Sequence, residues 1–149
     1  MGSPIGRLEL VETGGALVAI HFDAPADGSP RHERGGSAVL TQAHQQLSEY
    51  FAGTRREFDL PLRPVGTEFQ RRVWDVLATV PWGTTTTYGA IAARLGLPPG
   101  ASRAVGAANG ANPLPVVLPC HRVLRSDGTQ GGYVGGPAAK TTLLNLEAA

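Results

Sequence analysis

Residues 7–12, Arg7-Leu8-Glu9-Leu10-Val11-Glu12, alternate apolar and polar side chains with the period of a half-buried strand. Thr13-Gly14-Gly15 supplies a turn, and Ala16 to Phe22 reads as the returning strand, so the pattern predicts a hairpin. Residues 23–36, rich in Pro, Gly and charge, predict a loop. From Ser37, a side chain suited to cap a helix, to Phe51, the residues Leu40, Ala43, Leu47, Tyr50 and Phe51 share one helical face. Gly53 can end that helix, and Phe58 to Leu62 reads as a short strand.

Residues 61–66 mark a change of character. Thr67-Glu68-Phe69-Gln70 has the form of a capping box, and the helix behind it places Phe69, Val73, Val76, Leu77 and Val80 at helical spacing until Pro81-Trp82-Gly83 stops it. Two short helical stretches follow. Tyr88 to Leu95 closes at Gly96 and Pro98-Pro99, and Ala101 to Asn109 closes at Gly110, in the outline of a helix-turn-helix. Pro113, Pro115 and Pro119 then bracket Leu114 and Val116-Val117-Leu118 and predict a stiff, extended run that delivers Cys120. Glycine pairs surround Tyr133, and a last helix is expected from about Pro137 to Glu147. The chain is expected to be α+β, with a small N-terminal domain over residues 1–63 and a mostly helical domain over 64–149.

Composition changes this picture in two places. The 149 residues carry a formal net charge of +1, but residues 76–126 contain no Asp or Glu while holding Arg94, Arg103, Arg122 and Arg125. Such a segment suits a polyanion, because carboxylates would repel phosphates; biased use of Ala, Gly and Arg would give the same pattern. The one cysteine excludes intramolecular disulfides and thiolate zinc clusters. No apolar stretch reaches the ~20 residues of a membrane span. The start lacks the regions of a signal peptide, and a soluble, cytoplasmic monomer is expected.

Cys120 is followed at once by His121 and Arg122. A nucleophilic cysteine works as a thiolate, and a neighbouring base or cation lowers its pKa from ~8.5. On an extended strand the two adjacent side chains would point to opposite faces, so a water between them would carry the proton to His121. Glu147 lies four residues after Leu143 and three after Leu144, on the face those leucines turn inward. A carboxylate there needs a partner, which a histidine could supply, unless the C-terminus simply frays.

Pro119-Cys120-His121-Arg122-Val123 resembles the active-site signature of the O6-alkylguanine-DNA alkyltransferases, the methylated-DNA–protein-cysteine methyltransferases. The resemblance extends from Gly66 to the end in order and spacing. It runs through Gly66-Thr67-Glu68-Phe69-Gln70, Pro81-Trp82-Gly83, Thr87-Tyr88, Arg103-Ala104-Val105-Gly106, Asn112-Pro113, Gly132-Tyr133-Val134-Gly135-Gly136, Lys140 and Leu146-Glu147. Before Gly66 it is looser, through Ser3-Pro4-Ile5-Gly6 and the hairpin.

The resemblance implies direct-reversal repair of double-stranded DNA. An alkyl group would pass from the O6 atom of guanine, with the O4 atom of thymine as an alternative donor, to Cys120 once per molecule, without metal or cofactor. His121, through a water, and Glu147 would form a relay to the sulfur, with Asn112 holding the segment before it. Tyr88 would crowd a backbone phosphate and donate to the base. Arg103 would fill the gap in the stack, on a helix whose Ser102, Ala104 and Gly106 allow close approach to the minor groove. Tyr133, Val134, Val123 and Asn109 would form the guanine pocket, with backbone groups of Cys120, Val123 and Val134 on the base edge and Lys140 bracing the loop. Val134 stands where some relatives carry a hydroxyl residue, leaving only its backbone N–H for the O6 atom. The N-terminal domain would have a ribonuclease H-like shape without that activity. A non-catalytic helix-turn-helix lesion sensor, a DNA-binding protein with an incidental cysteine, and a Cys-His hydrolase or acyltransferase are the alternatives. The hydrolase would turn over repeatedly and need an oxyanion hole, which the sequence does not reveal.

Overall fold

The computed structural model describes residues 1–22 and 38–149. The loop expected at 23–36 and the cap expected at Ser37 lie outside the described residues. The chain divides into two compact units, Met1–Val65 and Gly66–Ala149. Helices and small sheets make it α+β.

In the first unit, β1 (Leu8–Thr13) pairs antiparallel with β2 (Ala16–Phe22), with a register shift between Val11 and Glu12. The helix α1 (Ala38–Phe51) packs on both strands. Leu8, Leu10, Leu17 and Ile20 from the hairpin meet Leu40, Ala43, Leu47 and Tyr50 from α1 in one buried core. Each of the leucines and Ile20 contributes on the order of 1.5–3 kcal/mol. The strand expected at 58–62 reduces to one bridge, Leu17 to Leu62. The reason is local: the buried Gln46 amide of α1 takes both backbone groups of Asp59, donating to its carbonyl at 2.9 Å and accepting from its N–H at 2.8 Å. A side chain thereby replaces the ladder partner.

The second unit begins with α2 (Glu68–Leu77), whose N-cap Thr67 and N3 residue Gln70 satisfy each other's backbone N–H groups. Trp74 is the anchor of this helix, buried, with its indole N–H donating to the Ala108 carbonyl at 2.8 Å. Gly66 is required here, because a Cβ would come within 2.3 Å of the Trp74 ring. The two-residue strand β3 (Thr86–Thr87) leads into α3 (Tyr88–Arg94), capped by the Thr87 hydroxyl. A 3₁₀ turn at Pro99–Ala101 then joins α4 (Ser102–Gly110). Helix α4 packs on α2 and α3 through Val105 and Ala108 and leaves Arg103, Ala104 and Ala107 exposed. The strand β4 (Val123–Leu124) pairs in parallel with β3, a contact the sequence pattern did not reveal. The chain closes with α5 (Pro137–Ala148), which buries Ala139, Lys140, Leu143 and Glu147. Among the described residues no helix is long and apolar enough to cross a membrane.

Candidate active site

The segment before Cys120 is a series of turns, not the extended run expected from its prolines. Asn112 pins it at both ends: its Oδ1 accepts from the Leu114 N–H at 2.9 Å and its Nδ2 donates to the Leu118 carbonyl at 2.7 Å. The Leu118 N–H closes back onto the Leu114 carbonyl at 2.8 Å, with Val116 between them at φ 74°. A β-branched residue in the left-handed region is strained, and the surrounding bonds hold it there. Pro119, at φ −80° and ψ 66°, is the centre of an inverse γ-turn closed by the Cys120 N–H on the Leu118 carbonyl at 2.7 Å. The fixed proline φ that suits an extended chain suits these turns equally.

Cys120, His121 and Arg122 then form one 3₁₀ turn, so the argument from alternating strand faces does not apply. Side chains on such a turn leave the axis about 120° apart. Cys120 points to a cavity, while His121 and Arg122 turn to α5. There the buried Glu147 carboxylate meets His121 Nε2 at 2.7 Å through Oε2. It also accepts a fork from Arg122, Nε to Oε1 at 2.7 Å and Nη2 to Oε2 at 2.8 Å. Arg122 Nη1 donates to the Val80 carbonyl at 2.5 Å. The Glu147 terminus is therefore docked, not frayed.

The bonding fixes the imidazole. A carboxylate only accepts, so the hydrogen belongs on Nε2 and Nδ1 keeps its lone pair. Nδ1 is buried and has no hydrogen-bond partner. Burial pushes the His121 pKa below its ordinary value, against the pull of Glu147. The ring is neutral at neutral pH, with its basic nitrogen available.

Cys120 lies on a cavity of about 340 Å³ together with Tyr88 of α3 and with Gly106, Asn109 and Gly110 of α4. Gly132, Tyr133 and Val134 form the rest of its lining. This is room for a small planar ligand. The sulfur-bearing residue is 2% exposed, and burial pushes its thiol up to about 11, opposed by the Asn112 side chain, the Lys140 charge and its own backbone. Burial thus acts on the sulfur in the direction opposite to the lowering expected from a neighbouring base or cation. Tyr88 is also raised, first by burial and then by the nearby sulfur.

The other sequence-derived residues fall in three places. Val123 and Lys140 lie outside the cavity lining. Lys140 is buried and donates to the carbonyls of Val123 at 2.8 Å, Gly132 at 3.3 Å and, more closely, Gln130, tying the loop that carries Tyr133. Burial lowers its pKa, and the nearby Cys120 partly offsets this. Arg103 and Ala104 lie exposed on α4, where Ser102 donates to the Pro99 carbonyl at 3.2 Å. Of the four arginines in the acid-free segment, Arg122 is buried, while Arg94, Arg103 and Arg125 are exposed, Arg94 donating to the Thr79 hydroxyl at 2.6 Å. Sequence reasoning gave Arg122 no part in holding Glu147. Its place beside His121 was the available signal, since a buried carboxylate needs a cation as well as an imidazole. Gly110, at the end of α4, gave no signal.

Models of two domains match this chain. That of the ribonuclease-like domain of 6-O-methylguanine DNA methyltransferase covers residues 1–64, and that of its DNA-binding domain covers residues 68–149. The methylated-DNA–protein-cysteine methyltransferase of Mycobacterium tuberculosis is 44% identical over 146 residues, spanning 97% of this chain and 88% of its own. That of Methanosarcina acetivorans is 49% identical over 150 residues, spanning 97% and 94%. A crystal structure of Mycobacterium tuberculosis OGT in complex with DNA superposes with a TM-score of 0.88 at 43% identity, covering 99% of this chain and 90% of that one.

Proposed function

From the premise that the chain belongs to the 6-O-methylguanine DNA methyltransferase family, we propose how its residues perform the transfer. The activity is that of a methylated-DNA–protein-cysteine methyltransferase, a DNA-binding repair protein. The observation that carries the assignment of parts is the placement of Cys120 on the cavity, with His121 of the same 3₁₀ turn bonded to Glu147.

The substrate is O6-alkylguanine in duplex DNA. Helices α3 and α4 act as a helix-turn-helix, with the small residues Ser102, Ala104 and Gly106 allowing approach to the minor groove. The target atom is hidden in the duplex, so the nucleotide rotates out, at a cost of a few kcal/mol. Arg103 fills the gap, since its planar guanidinium can stack, and Tyr88 crowds the adjoining phosphate. The everted base enters beside Tyr133 and Val134, with the Val134 N–H facing the O6 atom.

Cys120 rests as a thiol and loses its proton only with the base in place, when the proton passes through a water to His121 Nδ1. Glu147 steadies the resulting imidazolium, and Arg122 steadies Glu147. The sulfur attacks the alkyl carbon; the S–C bond forms as the C–O6 bond breaks. The electron pair leaves with the base, which Tyr88 stabilises by a hydrogen bond or proton. The product is a thioether that no neighbouring group can hydrolyse, so each molecule acts once, as a monomer in the cytoplasm. The first unit is a ribonuclease H-like scaffold without that activity. Transfer of labelled methyl from an O6-methylguanine duplex tests the scheme: wild type takes up label, and Cys120→Ser takes up none while still binding DNA. Labelled Cys120→Ser would remove Cys120 from its role.

A further inference from the structure

Arg125 has no part in the scheme above, yet the fold sets it beside Tyr88. Strands β3 and β4 pair in parallel with Thr87 opposite Leu124, so the next residues, Tyr88 and Arg125, leave the two strands at the same end. The loop after Arg125 then returns to this pair: a Cβ on Gly131 would lie 3.2 Å from the Tyr88 hydroxyl and 3.5 Å from Arg125 Cγ. The turn at 125–129 is closed without the guanidinium. The Arg125 N–H donates to the Thr129 carbonyl and the Arg125 carbonyl accepts from the Gly128 N–H, both at 2.9 Å. Asp127 accepts from the Thr129 N–H at 3.0 Å and from the Thr129 hydroxyl at 2.7 Å. An exposed cation is thus held beside a half-buried phenol for no purpose that the turn requires.

We propose that Arg125 is a positioning residue for the transfer, its guanidinium stabilising the phenolate that Tyr88 becomes on giving its proton to the departing base. The inference rests on the reading of Cys120, Tyr88 and the cavity given above. As the S–C bond forms and the C–O6 bond breaks, the electron pair stays with the guanine and the Tyr88 O–H proton moves to that base. The phenolate takes a proton from solvent after the base leaves. A general acid is weakened when its pKa is driven far above the working pH, and a nearby cation counters this by favouring the ionised form. Burial raises the Tyr88 pKa and the Cys120 sulfur raises it further, while the Arg125 charge and a hydrogen bond with Asn109 oppose them. Lys140, which also feels the Arg125 charge, commits its ammonium to three backbone carbonyls. Alkylation turns the sulfur into a neutral thioether, so its opposition ends as the phenolate forms and the Arg125 charge remains.

The test reads the Tyr88 hydroxyl directly and then the reaction. Tyr88 is titrated by NMR of isotope-labelled tyrosine in Cys120→Ser, where no thiol ionises over the same range, with Tyr88→Phe marking which signal is which. Adding Arg125→Gln is expected to move the Tyr88 midpoint to higher pH, and Arg125→Lys to return it toward the parent. With Cys120 in place, Arg125→Gln should slow single-turnover transfer from an O6-methylguanine duplex about threefold, a small part of what a general acid supplies. Arg125→Lys should restore most of that rate, and Arg125→Gln added to Tyr88→Phe should slow transfer no further. An unmoved Tyr88 midpoint would overturn the proposal. Equal slowing with and without the Tyr88 hydroxyl would also overturn it, and a shallower salt dependence of DNA affinity would then make Arg125 a phosphate contact. Wild type that transfers no methyl would sink the underlying alkyl-transfer reading, a distinct outcome that leaves the titration to report on Arg125 and Tyr88 alone.

Discussion

His121 Nε2 and Glu147 Oε2 lie 2.7 Å apart in the protein interior, joined across 26 positions of chain. Neither side chain could be buried alone at acceptable cost. The pair fixes the imidazole tautomer, and the Arg122 fork on the same carboxylate makes the arrangement a triad. The C-terminal turn of α5 is thereby made part of the site.

Arg122→Ala leaves Glu147 buried without its cation. It should destabilise the protein by about 3–5 kcal/mol, as removal of one partner from a buried pair does. Chemical denaturation would measure this. Arg122→Lys keeps the charge but loses the fork and should cost less. A loss under ~1 kcal/mol in the alanine variant would place the ion pair in water, where such pairs are worth little.

The shifted pKa values set two pH limits. The Cys120 thiol is raised from 9.0 to about 11, so its contribution to stability is complete below pH 9 and lost as pH rises toward 11. Wild type should lose stability over that interval relative to Cys120→Ser, which has no thiol to ionise. His121 is lowered from 6.5, so its contribution is complete above that pH and lost as pH falls through its lower folded value. Transfer should stay level down through pH 6.5 and fall only below it, when Nδ1 takes a proton. Single-turnover rates across the acid range check this, and a fall centred at pH 6.5 would place the ring in solvent.

Gly131 combines φ 70° with a Cβ position 3.2 Å from the Tyr88 hydroxyl. Gly131→Ala should therefore cost on the order of 1–2 kcal/mol in backbone strain alone and displace Tyr88 as well. Tyr88→Phe removes the oxygen it would meet, so the double variant should lose less than the sum of the singles. Thermal denaturation of the four proteins gives that coupling, and strict additivity would show that the two residues do not touch.

How much was legible follows from what each signal depends on. The hairpin, α1 and the Thr67 cap are local patterns, and the structure has them within a residue or two. Residues 113–119 misled because proline restricts φ without choosing between extended chain and turn; the choice came from Asn112, whose amide bonds close the turns. The pairing of β3 with β4 spans two residues on each side, too short for any periodicity. Glu147 could be suspected from its helical face, but the fork from Arg122 depends on where α5 docks. The raised thiol follows from burial, which a sequence motif does not report.

Arg103 is exposed on α4, and its role as gap filler makes a selective forecast. Arg103→Ala should slow transfer from duplex DNA at least tenfold more than transfer from the free alkylated base, since only the duplex must be opened; about 1.4 kcal/mol corresponds to that factor. DNA affinity should also fall as salt rises. Equal slowing on both substrates would remove the gap-filling role.

The most direct test uses intact-protein mass and peptide mapping after incubation with excess duplex containing O6-methylguanine. One permanent methyl per molecule, carried on Cys120, with repair stopping at one lesion per protein, is the expected result. Lesions repaired in multiples of the protein concentration, or a methyl found on any other residue, would contradict it.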